Sequence, residues 1–398
     1  MSSSWQRFKD YIRASSETKL NVGKMTVSRL SIFGVAAMIL LIAVAALVFL
    51  VYGDQAAKLV YTETNVAVGY NYQLKDDVLS YRTAAALVKL RASASDKVVA
   101  TSMSGSVEGF DASANVTILY AGSAVQVQGH NYFSLSGGDV MDVRAGSSYG
   151  AVLYETDADD RNILLVRAAA NADGSTPTAG VVPLGASDVI AFDFFTVGGK
   201  ELLWVSTVDV GQFTEESLVR IYDCTTGGTL LFYSDHFYNQ TIYDAYVSEK
   251  CLFLVGTQDI IRYDREDDGG FSSERYRVRV FGTTIVDFAY GSGGAYFIEM
   301  PNVTAGGSSN LLRLLTVSED DDTWSTIMQL YMPAQIVGAY LQNNVIYVFT
   351  TNRFNTYTYA GSKRLDIELR YLPTAVLEYQ DSAFLLFTDT ACYKTILN

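Results

Sequence analysis

The sequence predicts an all-β protein: a seven-bladed β-propeller, with six or eight blades as the neighbouring solutions, behind one N-terminal transmembrane helix. Three observations predict it. A 24-residue run from Leu30 to Gly53 carries no charged side chain. From about residue 95 onward, helical periods give way to short runs of Val, Ile, Leu, Phe and Tyr separated by Gly, Asn and Asp turns. Those runs recur in units whose starts lie 40–53 residues apart, the spacing of a four-stranded blade.

The apolar run is long enough to span. At about 1.5 Å per residue a helix of this length covers about 36 Å, against a hydrocarbon core of about 30 Å. Arg7, Lys9, Arg13, Lys19, Lys24 and Arg29 precede it against Asp10 and Glu17 alone, while Asp54 and Lys58 follow. Positive charge resists translocation, so the N-terminus is expected in the cytosol and the C-terminal domain on the exoplasmic side, as an uncleaved signal anchor. A cleaved signal or a mitochondrial leader, the latter opposed by Asp10 and Glu17 and placing the chain at the mitochondrial inner membrane, is the alternative. The expected organisation is a basic tail over 1–29, the anchor over 30–53, a stalk and ring-closing strand over 54–94, and a propeller ectodomain over 95–398.

Composition narrows the partners. The chain holds 29 Lys+Arg and 43 Asp+Glu, and setting aside the tail leaves 23 against 41. So acidic an ectodomain repels phosphate backbones, which argues against nucleic acid. With 31 Gly, 27 Tyr and only 5 Pro, the chain suits many short strands joined by tight turns.

Six units align at Val140, Val189, Ile242, Ile285, Ile336 and Val376, each an alternating strand, a turn and a more hydrophobic strand. A third strand follows every time, and a fourth follows all but the last. A less regular seventh unit fits 97–135. The last unit lacks its fourth strand, which would leave an unpaired edge. A strand from about 56–92, LVYTET or AALVKLR, is therefore expected to close the ring. A β-sandwich pair or a solenoid is the rival architecture.

Leu218 to His236 (LVRIYDCTTGGTLLFYSDH) resembles the second half of a WD40 repeat. Tyr222-Asp223 stands at the Trp-Asp site, Tyr263-Asp264 repeats it one unit on, and His130 and His236 fall where inter-blade histidines would. The resemblance covers two units and implies binding or scaffolding rather than catalysis.

The remaining motifs carry chemistry only in part. Gly146-Ser147-Ser148-Tyr149-Gly150 fits G-x-S-x-G, but that elbow needs a following helix and none is predicted. Asp264, Glu266 and Asp268 precede Gly269 at calcium-loop spacing, though Arg275 stands where a bidentate acid is needed. No other cofactor is expected. Cys224 and Cys251 are the candidate disulfide pair, with three buried small hydrophobes as the alternative. Asn115, Asn239 and Asn302 head glycosylation sequons. The run 318–324 resembles a sialidase Asp-box but lacks its glycine and occurs once. Asp193, Asp244, Asp287 and Glu378 fall on or near successive innermost strands, so acids are expected along a central channel. The reading is a single-pass membrane propeller that binds a protein or glycan partner, or is a structural subunit of a membrane, envelope or virion assembly. No enzyme is expected, and the alternative is a sialidase-type propeller glycosidase acting through acids such as Asp287 and Glu378.

Overall fold

The computed structural model describes the hairpin strands Lys19–Val22 and Met25–Ser28 and residues 57–398, apart from 84–85, 92–96, 103–106, 129, 211–214, 267–269, 281, 292–293, 303–309, 319–322 and 381. The apolar run Leu30–Gly53 lies outside the described residues. Among those described, no helix is long and apolar enough to cross a membrane.

Second strands such as Cys251–Gly256 (CLFLVG) and Ala383–Phe387 (AFLLF) are apolar at every position, because both faces of each sheet are covered by neighbouring sheets. Leu252 and Leu254 face one neighbour, and Cys251, Phe253 and Val255 face the other. Repeating this geometry around an axis gives eight antiparallel sheets in chain order. The fold is thus a β-propeller of eight blades, where seven were expected. Innermost strands are Tyr72–Lys75, Gly109–Ala112, Gly138–Ala145, Asp188–Val197, Ile242–Val247, Thr283–Gly291, Ile336–Gln342 and Ala375–Gln380, defining blades 1 to 8.

The extra blade is the first, over residues 72–102. It contains AALVKLR as its third strand, and KVVATS, expected in the next unit, as its fourth. Leu59–Glu63 closes the ring, pairing with Cys392–Leu397 in the register Leu59↔Leu397 to Glu63↔Tyr393. Seven apolar wedges fill the junctions from blade 2/3 round to blade 8/1. At the 1/2 junction Gln73 donates to the Phe110 carbonyl at 3.2 Å, and Lys75 reaches Asp111 at 3.6 Å.

The three cysteines are free thiols, each buried. Cys224 belongs to the 3/4 wedge and Cys251 to the 5/6 wedge, with the body of two blades between them, so the expected disulfide is corrected. Burial pushes the thiols of Cys224 and Cys392 up, the latter to about 11. Alkylation followed by intact mass is expected to add nothing to the native chain and three groups after denaturation. Partial native labelling would contradict this burial.

Candidate functional site

The innermost strands of blades 3 to 7 share one irregularity. Pairing skips a residue at Val140/Asp142, Val189/Ala191, Ile242/Asp244, Ile285/Asp287 and Ile336/Gly338. The pattern is Val or Ile, an extra residue, then a small or acidic one. Each such bulge adds local twist and re-aims the side chain after it. Neighbouring blades hold the bulges in place. Tyr120 donates to the Met141 carbonyl at 2.8 Å, Ser206 donates to that of Ile242 at 2.7 Å, and the Tyr243 hydroxyl accepts the Ile285 N–H at 3.3 Å.

Behind the bulges lie the acids. Asp193, Asp244, Asp287 and Glu378 occupy innermost strands of blades 4, 5, 6 and 8, as the sequence spacing led us to expect. Asp244 accepts the Ala245 N–H at 2.8 Å, and Asp287 accepts that of Leu341, from the next blade, at 2.5 Å. Burial raises the carboxyls of Asp193 and Asp244, against the opposing Lys75 charge and the Tyr246 hydroxyl respectively. Asp287 is pushed up to about 7, by burial first and then by the charge of Glu378, against the Leu341 and Phe288 N–H groups. Burial beside these acids also raises the hydroxyls of Tyr246 and Tyr340.

A raised acid stabilises the fold below its ordinary pKa, and that stability is lost as pH rises through the folded value. For Asp287 the window runs from about pH 4 to about pH 7. We therefore expect a melting temperature a few kelvin higher at pH 5 than at pH 8. Asp287→Asn should raise the value at pH 8 and narrow the gap. A Tm that climbs from pH 5 to 8 would contradict the assignment.

Sequence reading missed three residues that tie blades to one another. Lys75 pairs with Asp193 and lies 3.6 Å from Asp111, drawing blades 1, 2 and 4 together. Gln342 donates to Glu378 and accepts the Ser382 N–H at 2.8 Å. Glu201 is buried and accepts the N–H groups of Ser147 at 2.6 Å and Ser148 at 2.8 Å. No motif marks any of them, because each acts on a blade remote in sequence.

Glu201 also explains the G-x-S-x-G run. The loop's N–H groups, which an oxyanion hole would need free, are occupied by a carboxylate, and Ser113 donates to the Gly146 carbonyl at 2.6 Å. The loop is a clamped hairpin between two strands.

The other expected site residues are dispersed. Asp264 accepts from the buried Arg262 at 2.9 and 2.6 Å, Glu266 pairs by its N–H with Gly270, and Asp268 lies outside the described residues. Among the described residues no group of three or more potential ligands is arranged to hold a metal. Tyr222-Asp223 ends the third strand of blade 4. Asp223 caps the turn Cys224–Thr226, accepting from Thr225 N–H at 2.8 Å before Gly227 turns the chain with φ +82°. His236 pairs with Glu216 at 3.2 Å rather than with Asp223. His130, expected between blades, lies within blade 2 before its fourth strand and bonds Ala168 and Thr176 of blade 3. Asn115, Asn239 and Asn302 are all exposed. The Asp-box acids, 319–322, lie outside the described residues.

Two cavities open at the end of the ring formed by the first hairpins. One, of about 430 Å³, is lined by Val197, Val247, Glu249, Lys250 and Tyr290, and the other, of about 320 Å³, by Lys75, Asp76, Asp77, Gln342, Glu378 and Gln380. The first is lined mostly by apolar surface, but both are open to solvent rather than enclosed as a small-molecule pocket is.

No protein-family model matches the sequence, and no curated protein matches it. Solved structures do. Sqt1 from Saccharomyces cerevisiae aligns over 85% of this chain and 97% of its own at 9% identity, TM-score 0.55. The WD40 domain of SCAP from fission yeast aligns over 85% and 98% at 8% identity, TM-score 0.55. BamB from Moraxella catarrhalis aligns over 85% and 100% at 8% identity, TM-score 0.51. At such identities the likeness is one of fold, and the fold is that of β-propeller proteins, WD40 domains among them.

Proposed function

We propose that this β-propeller is a single-pass, membrane-anchored platform that docks a protein partner on its rim, as a subunit of a larger membrane assembly. The observation that carries the reading is the outermost strands. An exposed edge strand invites pairing, and proteins blunt such edges with charge, proline or shortness. Blades 1, 5, 7 and 8 carry Lys97, the Glu274–Arg279 charges, the Lys363–Glu368 charges and Glu63, blade 3 has Pro183, and the edge of blade 2 is two residues long. Thr229–Tyr233 in blade 4 and Trp324–Tyr331 in blade 6 have none of these. They instead expose Leu230, Leu231 and Tyr233, and Trp324, Ile327 and Tyr331, the last at 70%. Aromatic and aliphatic anchors in uncharged strands are the composition of a protein interface.

The anchor rests on the Leu30–Gly53 run and the basic residues before it. The propeller neighbours, read as scaffolds, agree with docking rather than catalysis. A photo-crosslinking residue at Ile327 or Leu231 tests the reading in the native membrane. One discrete partner captured from these sites, and absent from a control at Asp366 on the charged edge of blade 7, is expected. Indistinguishable patterns from all three would overturn it.

A further inference from the structure

The outermost strand of blade 6, Trp324–Tyr331, offers main-chain groups as well as side chains. It ends its sheet, pairing with Leu311–Val317 on one side only. In an antiparallel ladder the N–H and C=O of one residue turn to the same neighbour, and successive residues alternate. The ladder is bonded at both ends: the Ser318 N–H donates to the Thr323 carbonyl at 2.9 Å, and the Met332 N–H to the Asn310 carbonyl at 2.7 Å. Counting back from Met332, Leu330 and Met328 turn to the blade, so Gln329 and Tyr331 turn both their groups outward, where no strand follows. Counting on from Thr323, Trp324 and Thr326 do the same. Ile327 lies between the two stretches as the extra residue of a bulge, with Thr326 opposite Leu315 and Met328 opposite Leu314.

A bulge twists an edge and bars a long flat strand. The outermost strands of blades 4, 5 and 7 carry one too, so the bulge alone does not set blade 6 apart. The residue standing in it does. It is Arg275 in blade 5 and Arg364 in blade 7, a charge on the edge in each case, whereas in blade 6 it is Ile327, 38% exposed. Blade 4 has Leu231 there, but its strand ends two residues later at Tyr233. In blade 6 the stretch after the bulge runs on, braced from behind by Met328 and Leu330 in the 6/7 wedge, so it holds its extended form in advance of any partner.

We propose that an extended, uncharged segment of the partner adds to blade 6 as a fifth strand, bonding the outward N–H and C=O groups of Gln329 and Tyr331. This rests on the platform reading above and names what the rim receives. Only an extended backbone offers donors and acceptors at the spacing of a strand. The side chains of the segment alternate between the Leu330 face, where an aliphatic or β-branched residue packs, and the Tyr331 face, where an aromatic one does. No residue of Trp324–Tyr331 is charged, so a charge in the paired stretch would lose water and find no counter-charge.

Hydrogen exchange, read residue by residue in the assembly purified from its native membrane, tests this without altering the fold. The outward residues of the blade 7 edge, Asp366 and Glu368, are the internal reference, since the Leu369 N–H that follows them bonds inward to Asn352. The N–H groups of Gln329 and Tyr331 should exchange at least about tenfold more slowly than these, after allowance for intrinsic rates. Gln329→Pro removes an outward donor and no bond of the blade. It should cut photo-crosslinking from position 327 about tenfold, while Gln329→Val leaves it unchanged. Equal exchange at the four positions would overturn the proposal, as would a folded proline variant that crosslinks as well as wild type. A partner lost from Trp324→Ser/Tyr331→Ser, with fast exchange at Gln329 and Tyr331, would overturn strand addition and leave the platform standing on side chains alone. Failure of the platform reading shows differently, as a wild-type chain that crosslinks to nothing and purifies without a partner.

Discussion

Deleting Leu59–Glu63 from the full chain abolishes its cooperative thermal transition. This short strand is far from the other strands of its sheet in sequence, and its removal leaves the whole of Cys392–Leu397 as a bare edge. The loss exceeds five residues of ladder. Tyr61 meets Tyr371 edge-on at 5.3 Å, and Tyr371 stacks on Tyr393 at 3.9 Å, so an aromatic chain across the closure goes with it. Thr64, which donates to the Cys392 carbonyl at 3.0 Å, and Val66, buried in the 8/1 wedge, lose their tether. An open propeller has two raw blade faces, and the apolar surface they release exceeds the marginal stability of an ordinary domain. Graded variants separate this from a general defect. Tyr61→Ala should cost about 2–3 kcal/mol through the lost ring contacts, while the exposed Val60→Thr should cost under about 0.5 kcal/mol. A deletion variant that melts sharply within a few kelvin of wild type would show that the ring is not closed by this strand.

Glu201→Ala carries the second large effect, a loss of about 2–4 kcal/mol. The carboxylate is buried and accepts the N–H groups of Ser147 and Ser148 from the adjacent blade, so truncation removes two charge-assisted hydrogen bonds and leaves a void where the carboxylate packed. Burial raises the Glu201 carboxyl despite those bonds, so part of the carboxylate's own desolvation cost is recovered and the loss stays short of the sum of its hydrogen bonds. Glu201→Gln, which keeps one acceptor, should lose about half as much. Gly146→Ala probes the same clamp from the other side. A Cβ there would lie 1.8 Å from the Glu201 carboxylate and 2.8 Å from the Phe194 ring, so the hairpin must shift. Because both changes break one clamp, the double variant should be well short of additive in chemical denaturation. Full additivity would place the two residues in separate structures.

Much of this fold is legible in the sequence because the blade repeats its chemistry. Alternation marks the innermost strands, continuous apolar runs mark the second, and the spacing of Asp193, Asp244, Asp287 and Glu378 foretells an acidic channel. Blade 1 hides for a physical reason. Its strands are only four to six residues long. Its first hairpin turns through Asp76 and Asp77, both at positive φ (50° and 59°), without the glycine that usually announces such a turn. The segment YQLKDDVLSYR therefore looks like a polar stalk. The cysteines mislead differently. Cys224 and Cys251 are close in sequence, but one follows a third strand and the other begins a second, and these face wedges on opposite sides of a blade pair. Glu201 is illegible altogether. It grips a turn more than 50 residues earlier, and nothing local announces a carboxylate whose partner is backbone.

Purification of the full chain from its native membrane in mild detergent, with the mass and composition of the intact particle measured, tests the docking account most directly. The account predicts a particle heavier than the 43.6 kDa chain by one stoichiometric partner protein, lost when Trp324 and Tyr331 are both replaced by serine. A chain that elutes alone, or only with copies of itself, would contradict it.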